Sequence, residues 1–375
     1  MRRRGAPIVS EALSPATLVL GGGLLLSTVF GWVARSSHFC VMGAISDAVN
    51  MEHWGRMRLW MLALAVAITG TNLLAFFGLI DLGKSLYQRP LLPWLSLLLG
   101  GLAFGWGMTL AGGCPNRNLL RLGAGSLRSL VVLVFVAIAS YMTLKGLFAQ
   151  WRVSYLDPMT IDLSAMGLAH ASLPDLFARW TGMAQPTALL VVSAAALAGL
   201  GTFCFQDAAF RRDLAQIARA ALLGLLVVAA WYLSGHIGYG ENPDTLETVY
   251  FATNSRTLES LSFVAPTAYS LELLLLWTDK SLHPSFGVAC VAGVVLGALA
   301  HAVGSKQFRW EGFGSLQDLR NQLTGAMLMG FGGVTAVGCT IGQGLSGLST
   351  LAIGSLIAVA GIVCGCIAAM RWLSR

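Results

Sequence analysis

Charged residues are scarce in this chain, and their scarcity excludes a water-soluble protein. Only 11% of the 375 residues are Asp, Glu, Lys or Arg, whereas about 25% is usual for a soluble domain. Apolar residues make up 56% of the sequence, with 44 glycines besides, and the mean hydropathy is +0.71. The composition therefore predicts an integral membrane protein.

Three kinds of motif are also missing. The seven cysteines form no Cys-x-x-Cys pair, so neither a disulfide framework nor a metal site is indicated. No phosphate-binding loop of the ATPase type is present, which excludes ATP as a direct energy source in this chain. The 24 Lys and Arg are spread over the sequence rather than clustered, which does not suggest nucleic acid. We expect no metal and no cofactor.

Long runs without a charged residue indicate the membrane spans, each of which needs about 20 mostly apolar residues. The runs are 12–34, 59–80, 90–116, 180–206, 220–240, 281–305 and 321–370, with a shorter run at 129–144. The run 321–370 is long enough for two spans with a segment between them. The sequence thus predicts an all-α fold with about nine transmembrane helices, and 262–278 as a tenth span or a half-helix.

The first apolar run follows a basic N-terminus of Arg2, Arg3 and Arg4. Its 23 residues exceed the apolar stretch of about 7–15 in a signal peptide, so we expect a retained first helix. Along a nine-span path, Lys and Arg are more frequent on the side of Arg56 and Arg117. The positive-inside rule then predicts an outer N-terminus and an inner C-terminus.

A weak internal repeat divides the chain. The segment from Gly105 to Cys114 matches the segment from Gly330 to Cys339 at a constant offset of 225 residues. The number of spans before each cysteine would place Cys114 and Cys339 toward opposite sides of the membrane, as in inverted-repeat transporters. We expect a single permease domain, 1–375, with pseudo-repeats at about 12–148 and 281–373 and connecting spans at about 180–278. Composition bias among membrane helices is the alternative explanation.

Three segments interrupt the apolar pattern, and each combines a cysteine with glycines or small polar residues. They begin at Ser36, Ala111 and Gly338 and contain Cys40, Cys114 and Cys339. Non-helical backbone at membrane depth has to line a buried or wet cavity, so these segments predict short re-entrant helices. Helix N-termini attract anions, and a thiol is a weak donor. The sequence therefore predicts a route for a small anion that interacts well with sulfur.

Structural explanations remain open for the same residues. Closely spaced glycines such as Gly100, Gly101, Gly105 and Gly107 commonly form helix-packing surfaces. The other four cysteines are expected to behave as small hydrophobic residues. His38, Arg117 and Arg309 are candidates for attracting an anion, or else interfacial anchors. Glu272, in an apolar stretch, is a functional candidate or an interfacial residue.

Several motifs resemble the YeeE/YedE family of bacterial inner-membrane proteins. They are Phe39-Cys40-x-x-Gly43 with Asp47, Ala111-Gly112-Gly113-Cys114, Gln307-Phe308-Arg309-Trp310 and Gly338-Cys339-Thr340-Ile341-Gly342-Gln343-Gly344. They occur in the family's order, and the resemblance covers nearly the whole chain. Two positions depart from the common pattern: His38 stands where many members have arginine, and Pro115-Asn116 where some have Ala-Thr.

The resemblance implies thiosulfate uptake through two inverted halves, whose re-entrant helices form an hourglass. The family's three functional cysteines fall on Cys40, Cys114 and Cys339, whose thiols would pass the anion along. Members often work beside a TusA-like sulfur carrier, and some relatives are linked to selenium. The expected pathway residues are Cys40, Cys114, Cys339, Gly43, Gly113, Gly338, Gly342, Gln343 and Gly344.

Our leading hypothesis is therefore a multi-pass inner-membrane permease for thiosulfate or a related sulfur anion, not an enzyme. The alternatives are a selenium-compound transporter and a membrane sulfurtransferase that passes sulfane sulfur to a TusA-like carrier. A scaffold for a partner complex would leave the cysteines at the helix breaks unexplained. No base or group of cations is evident beside the cysteines in the sequence, which favours transport over sulfurtransfer.

Overall fold

The computed structural model describes residues 14–242 and 246–374, and these fold into long helices with very little sheet. Arg2, Arg3, Arg4 and the first residues of the run 12–34 lie outside the described residues. The long helices are α1 (Pro15–Ser36), α3 (Gly55–Phe76), α4 (Trp94–Leu110), α6 (Leu127–Lys145), α9 (Gln185–Phe205), α11 (Leu214–Tyr232), α13 (Phe286–Gly304), α14 (Leu316–Thr335) and α15 (Ile353–Leu373).

Short elements connect these helices. The short helices are α2 (Val41–Asn50), α5 (Pro115–Gly123), α7 (Leu147–Trp151), α8 (Leu173–Thr181), α10 (Ala208–Arg212) and α12 (Ala265–Leu275). Two antiparallel ribbons pair β1 (Leu91–Leu92) with β2 (Ile161–Asp162) and β3 (Tyr239–Glu241) with β4 (Thr248–Tyr250). A further short helix, Gly342–Gly347, lies between α14 and α15.

The prediction of an all-α integral membrane protein is confirmed. Among the described residues, eight helical segments are long and apolar enough to cross a membrane. Helix α14 has 20 residues and packs along α4 and α6, but Asp318 and Arg320 make its first turns polar. With α14 included, the described residues contain nine helices of membrane length. Helix α12 has only 11 residues, about 16 Å at 1.5 Å per residue, so it is a half-helix rather than a tenth span.

Local sequence explains where several helices begin. Ser14 accepts the backbone N–H of Thr17 at the start of α1, and Ser285 caps α13 in the same way. Ser315 accepts the N–H of Asp318, whose carboxylate also suits the first turn of α14. These side chains satisfy amide groups that would otherwise lack a partner at each N-terminus.

The glycines of α4 allow it to lie against two other helices at backbone distance. A Cβ built on Gly105 would lie 2.1 Å from the Ile362 carbonyl oxygen of α15, and one on Gly107 would lie 2.6 Å from the Gly325 carbonyl oxygen of α14. Gly100 and Gly101 meet the same two helices. This row is therefore a helix-packing surface, and it holds α14 and α15 on either side of α4.

Candidate functional site

Each of the three cysteines at the helix breaks follows the same backbone turn. Two positions before Cys40, Cys114 and Cys339, the backbone is left-handed: His38 (φ 51°), Gly112 (φ 70°) and Val337 (φ 56°). The N–H of this residue bonds three residues back, and the next N–H bonds five residues back, at all three sites. This is the Schellman ending of a helix. The turns end α1, α4 and α14 and direct the chain into a short helix beyond.

Two amide side chains brace the turns at equivalent positions. Asn118 donates its amide N–H to the Gly113 and Cys114 carbonyl oxygens, at 3.0 and 3.2 Å. Gln343, which is 225 residues further along, donates to the Ala336 carbonyl oxygen at 2.5 Å. Both side chains are buried. The repeat seen in the sequence thus corresponds to a shared local geometry around Cys114 and Cys339.

Cys40 and Cys339 accept hydrogen bonds from the helices that follow them. The Cys40 Sγ accepts the backbone N–H of Gly43, and the Cys339 Sγ accepts the N–H of Gly342, each at 3.3 Å. Both sulfurs therefore cap the start of a short helix. Cys114 occupies the N-cap position of α5 without such a bond, and Pro115 fills the first helical position, where no N–H is needed.

Basic side chains surround Cys40. A cavity of about 100 Å³ opens beside it, and Arg117 Nη1 donates to the Cys40 Sγ at 2.9 Å. The ionisable residues that line this cavity with Cys40 are Arg35, His38, Arg56, Arg117 and Arg121. We call it the basic cavity. The expectation that no cations stand beside the cysteines was wrong, because the arginines come from α1, α3 and α5 and meet only in the folded chain.

Glycines make room for these side chains. A Cβ on Gly43 would lie 2.7 Å from Arg56 Nη1, and one on Gly113 would lie 2.6 Å from the Arg117 Cδ. In the third segment, a Cβ on Gly344 would meet the Trp60 ring at 2.8 Å. The backbone at these glycines is therefore directly covered by the side chains that surround the cysteines.

Cys114 lies near both of the other cysteines at the helix breaks. It interacts electrostatically with both Cys40 and Cys339, and the Thr340 side chain faces its thiol. All three thiols are buried. Gln343 Oε1 is buried and has no hydrogen-bond partner among the described residues. Unpartnered buried polar atoms are rare in folded proteins, and this one lies within the third segment.

Two lobes of a second cavity lie on the other face of the molecule. One lobe, of about 410 Å³, reaches Gln343 and Ser355. The other, of about 370 Å³, reaches Gly338 and Glu259. Both lobes share Leu86, Tyr87, Arg89, Arg152 and Val337. We call the two lobes together the vestibule. The basic cavity and the vestibule therefore approach the buried cysteines from opposite ends.

The sequence-predicted residues fall into two groups. His38, Gly43 and Arg117 lie around Cys40, while Gly338, Gly342, Gln343 and Gly344 surround Cys339. Arg309 is exposed and does not line the basic cavity; its backbone N–H bonds to the Ala124 carbonyl oxygen instead. Glu272 accepts the Lys145 ammonium at 2.7 Å and the Tyr141 hydroxyl at 3.0 Å, so its buried carboxylate is paired.

Sequence reasoning missed several charged residues that line the two cavities: Arg35, Arg56, Arg89, Arg152, Asp157 and Glu259. Each lies at or beyond the end of a helix, where a charged residue is ordinary. Arg56 is additionally paired with Asp47, at 3.2 Å, and Arg152 with Asp157, at 3.5 Å. The local sequence around these residues does not distinguish them from charged residues that anchor a helix at the membrane interface. In the described part of the chain, no group of His, Cys, Asp and Glu could hold a metal ion.

Comparisons with known proteins agree on one family. The family described as sulphur transport matches residues 36–368 of this chain. The chain is 26% identical over 339 residues to the thiosulfate transporter TsuA of Escherichia coli strain K12, covering 86% of each protein. It is 25% identical over 347 residues to the thiosulfate transporter TsuA of Spirochaeta thermophila, covering 90% of this chain and 93% of the relative.

Proposed function

The chain belongs to the sulphur transport family, the YeeE/YedE proteins, and from that premise we propose that it is a thiosulfate permease of the bacterial inner membrane. One observation supports the proposal: the cysteines at the three helix breaks are buried, with a cavity lined by four arginines beside Cys40 and a vestibule that reaches Gly338, the residue before Cys339. The names of the two relatives supply the substrate. The arrangement of cations and thiols fits that substrate, because thiosulfate is a small divalent anion with a terminal sulfur.

The physical problem for such a permease is the charge. Moving an isolated ion from water into an apolar medium costs roughly tens of kcal/mol in idealised solvation. Groups of the protein therefore have to replace the water around the anion at each step of the route. Arginines at the basic cavity offer full positive charges. In the narrow part, thiols and the backbone N–H groups at the starts of short helices offer weak donors. Weak donors stabilise the anion without trapping it.

We assign the basic cavity to the cytoplasmic side by the positive-inside rule. Thiosulfate would enter the vestibule, pass Cys339 and Cys114 in turn, and leave beside Cys40. The glycines predicted for the path, Gly338 and Gly342 among them, would let the anion approach the backbone. His38, Gly43 and Arg117 would form the inner exit.

We further propose that pseudo-repeats 12–148 and 281–373 are inverted halves with re-entrant helices. The shared turn at Cys114 and Cys339 and the amide braces from Asn118 and Gln343 support this division. We also propose that a TusA-like sulfur carrier binds this protein at the basic cavity. Selenium-containing anions would be held by the same donors, and competition against thiosulfate would rank the two substrates.

Doubly labelled thiosulfate tests the function. Cells that express this chain are given thiosulfate labelled separately on its outer and inner sulfur. Equal accumulation of both labels, lost in Cys339→Ala, would support the permease. If neither label enters, the proposal for thiosulfate is wrong.

A second function, sulfurtransfer, is favoured by one contact, between Arg117 Nη1 and the Cys40 Sγ. A cation beside the sulfur stabilises a thiolate. That thiolate could attack the outer sulfur of thiosulfate, forming a Cys40 persulfide while the S–S bond breaks and sulfite leaves with the electron pair. One sulfur added to Cys40 by mass, carrying the outer label, together with free sulfite carrying the inner label, would replace the permease with this reaction.

A further inference from the structure

A carboxyl group lies in the vestibule that the anion has to cross. Glu259 lines the lobe that reaches Gly338, the residue before Cys339. Its Oε1 accepts the backbone N–H of Ser255 at 2.8 Å. No ion pair among the described residues includes Glu259. A negative charge at this place would repel a divalent anion, so its presence needs a physical reason.

The titratable and charged groups that line the Glu259 cavity or interact with Glu259 electrostatically come from several elements. They are Tyr87 and Arg89 in the segment before α4, Arg152 after α7, Tyr269 on α12 and Cys290 on α13. Burial raises the pKa of Glu259, and hydrogen bonds from Ser255 and Asn254 act in the opposite direction. Arg89 and Arg152 line the cavity but do not pair with the carboxyl. The site thus leaves Glu259 free to take up a proton.

Tyr87 connects Glu259 with the cysteine path. It interacts electrostatically with both Glu259 and Cys339, and its hydroxyl would lie 3.6 Å from a Cβ built on Gly342. Gly342 is the residue whose N–H bonds to the Cys339 sulfur. Tyr87 is therefore a neighbour of both the Glu259 carboxyl and the short helix that follows Cys339.

We propose that Glu259 is a proton-binding site that couples movement of the anion to movement of a proton. This inference rests on the thiosulfate transport proposed above. The carboxyl binds a proton from the outer solution, which removes the charge that opposes the anion in the vestibule. The anion then moves on to Cys339, and the proton is released toward the inner side. Such coupling offsets part of the electrical cost of importing two negative charges against an inside-negative potential.

Proteoliposomes that contain the full chain test this coupling. Radiolabelled thiosulfate reports uptake, and a trapped pH-sensitive dye reports protons in the lumen. In the wild type, an inward thiosulfate gradient acidifies the lumen, and each unit of outside acidification raises thiosulfate accumulation about tenfold per coupled proton. Glu259→Gln keeps thiosulfate exchange across the membrane but loses the acidification. Glu241→Gln, at an exposed carboxyl on β3, behaves as the wild type.

The outcomes separate the two proposals. Thiosulfate uptake by the wild type without acidification of the lumen overturns the coupling and leaves the permease intact. Acidification of the lumen at the wild-type rate in vesicles with Glu259→Gln has the same meaning. No thiosulfate uptake in any vesicle overturns the permease, and the coupling with it. Because the wild-type vesicles decide alone whether protons move, poor folding of Glu259→Gln does not remove the test. Glu259→Asp, which keeps the carboxyl, is expected to retain acidification.

Discussion

Arg117 donates an N–H to the sulfur of Cys40 across 2.9 Å, although 77 residues separate them in the chain. The contact joins the start of α5 to the turn that ends α1. It also places a full positive charge beside the Cys40 thiol. The two motifs that each contain a cysteine are therefore parts of one site rather than two.

Removing this arginine should impair transport. Arg117→Ala takes away the donor to Cys40, and a charge-assisted hydrogen bond contributes about 1.5–3 kcal/mol. We expect thiosulfate uptake to fall by about tenfold or more. Arg212→Ala, at an exposed arginine of α10, is the matched control. Similar uptake by both variants, at equal amounts of protein in the membrane, would argue against an inner exit at Arg117.

The thiol of Cys339 should be essential, unlike buried thiols elsewhere. Cys339→Ala removes the acceptor of the Gly342 N–H and the thiol that we propose as the first on the path. We expect loss of uptake with an unchanged elution profile in detergent. Cys204→Ala changes a buried cysteine whose thiol donates to the Arg58 carbonyl oxygen, at 3.3 Å. Thiosulfate uptake should persist in Cys204→Ala. An equal loss of uptake in both variants would mean that Cys339 acts through packing and not as part of the transport path.

The sequence predicted the membrane fold and the breaks that hold the cysteines, but not most of the charged residues around them. Charge-free runs and glycine-rich breaks are local properties, so nine long helices and the cysteines at the turns could be read directly. The basic cavity could not, because Arg35, Arg56 and Arg117 come from three elements that meet only through packing. Glu259 gave no signal for the same reason. A charged residue in a loop becomes informative only when its cavity is known.

Close helix packing at α4 gives a prediction for stability. Gly105→Ala introduces a Cβ 2.1 Å from the Ile362 carbonyl oxygen, which belongs to rigid helix backbone. Overpacking of this kind costs about 1–3 kcal/mol, so the melting temperature in detergent should fall. At Gly201 on α9, nothing lies within 4 Å of the added Cβ, and Gly201→Ala should melt as the wild type does. Equal melting temperatures would mean that α4 and α15 separate easily.

Glu272 and Glu259 should respond differently to the same change. Glu272 is only 8% exposed but is paired with Lys145 and Tyr141, so its carboxylate already has partners. Glu272→Gln should therefore leave thiosulfate uptake and lumen acidification intact. Because Lys145 is half exposed, loss of the ion pair should cost about 1 kcal/mol or less. Loss of acidification in Glu272→Gln would indicate that the proton binds at the Lys145–Glu272 ion pair between α6 and α12, and not at Glu259.

The orientation in the membrane follows from the parity of the helices and the distribution of charge. Nine membrane-length helices in the described residues place the two ends of that part on opposite faces. The face of the basic cavity carries the larger share of Lys and Arg: Arg35, Arg56, Arg58, Arg117, Arg121, Arg128, Arg211, Arg212, Arg219, Lys306, Arg309, Arg320 and Arg371. The other face carries Lys84, Arg89, Lys145, Arg152, Arg179, Arg256 and Lys280. The positive-inside rule then predicts that the C-terminal end of α15 lies in the cytoplasm.

A pair of reporter fusions checks this orientation. Green fluorescent protein fused after Ser374 should fluoresce, and alkaline phosphatase fused at the same place should be inactive, because the phosphatase folds only outside. The reverse pattern would place the basic cavity on the outer face. Arg117 would then lie where the anion enters and Glu259 where it leaves. The Glu259 carboxyl would in that case face the cytoplasm, and acidification would have to be measured with the opposite proton gradient.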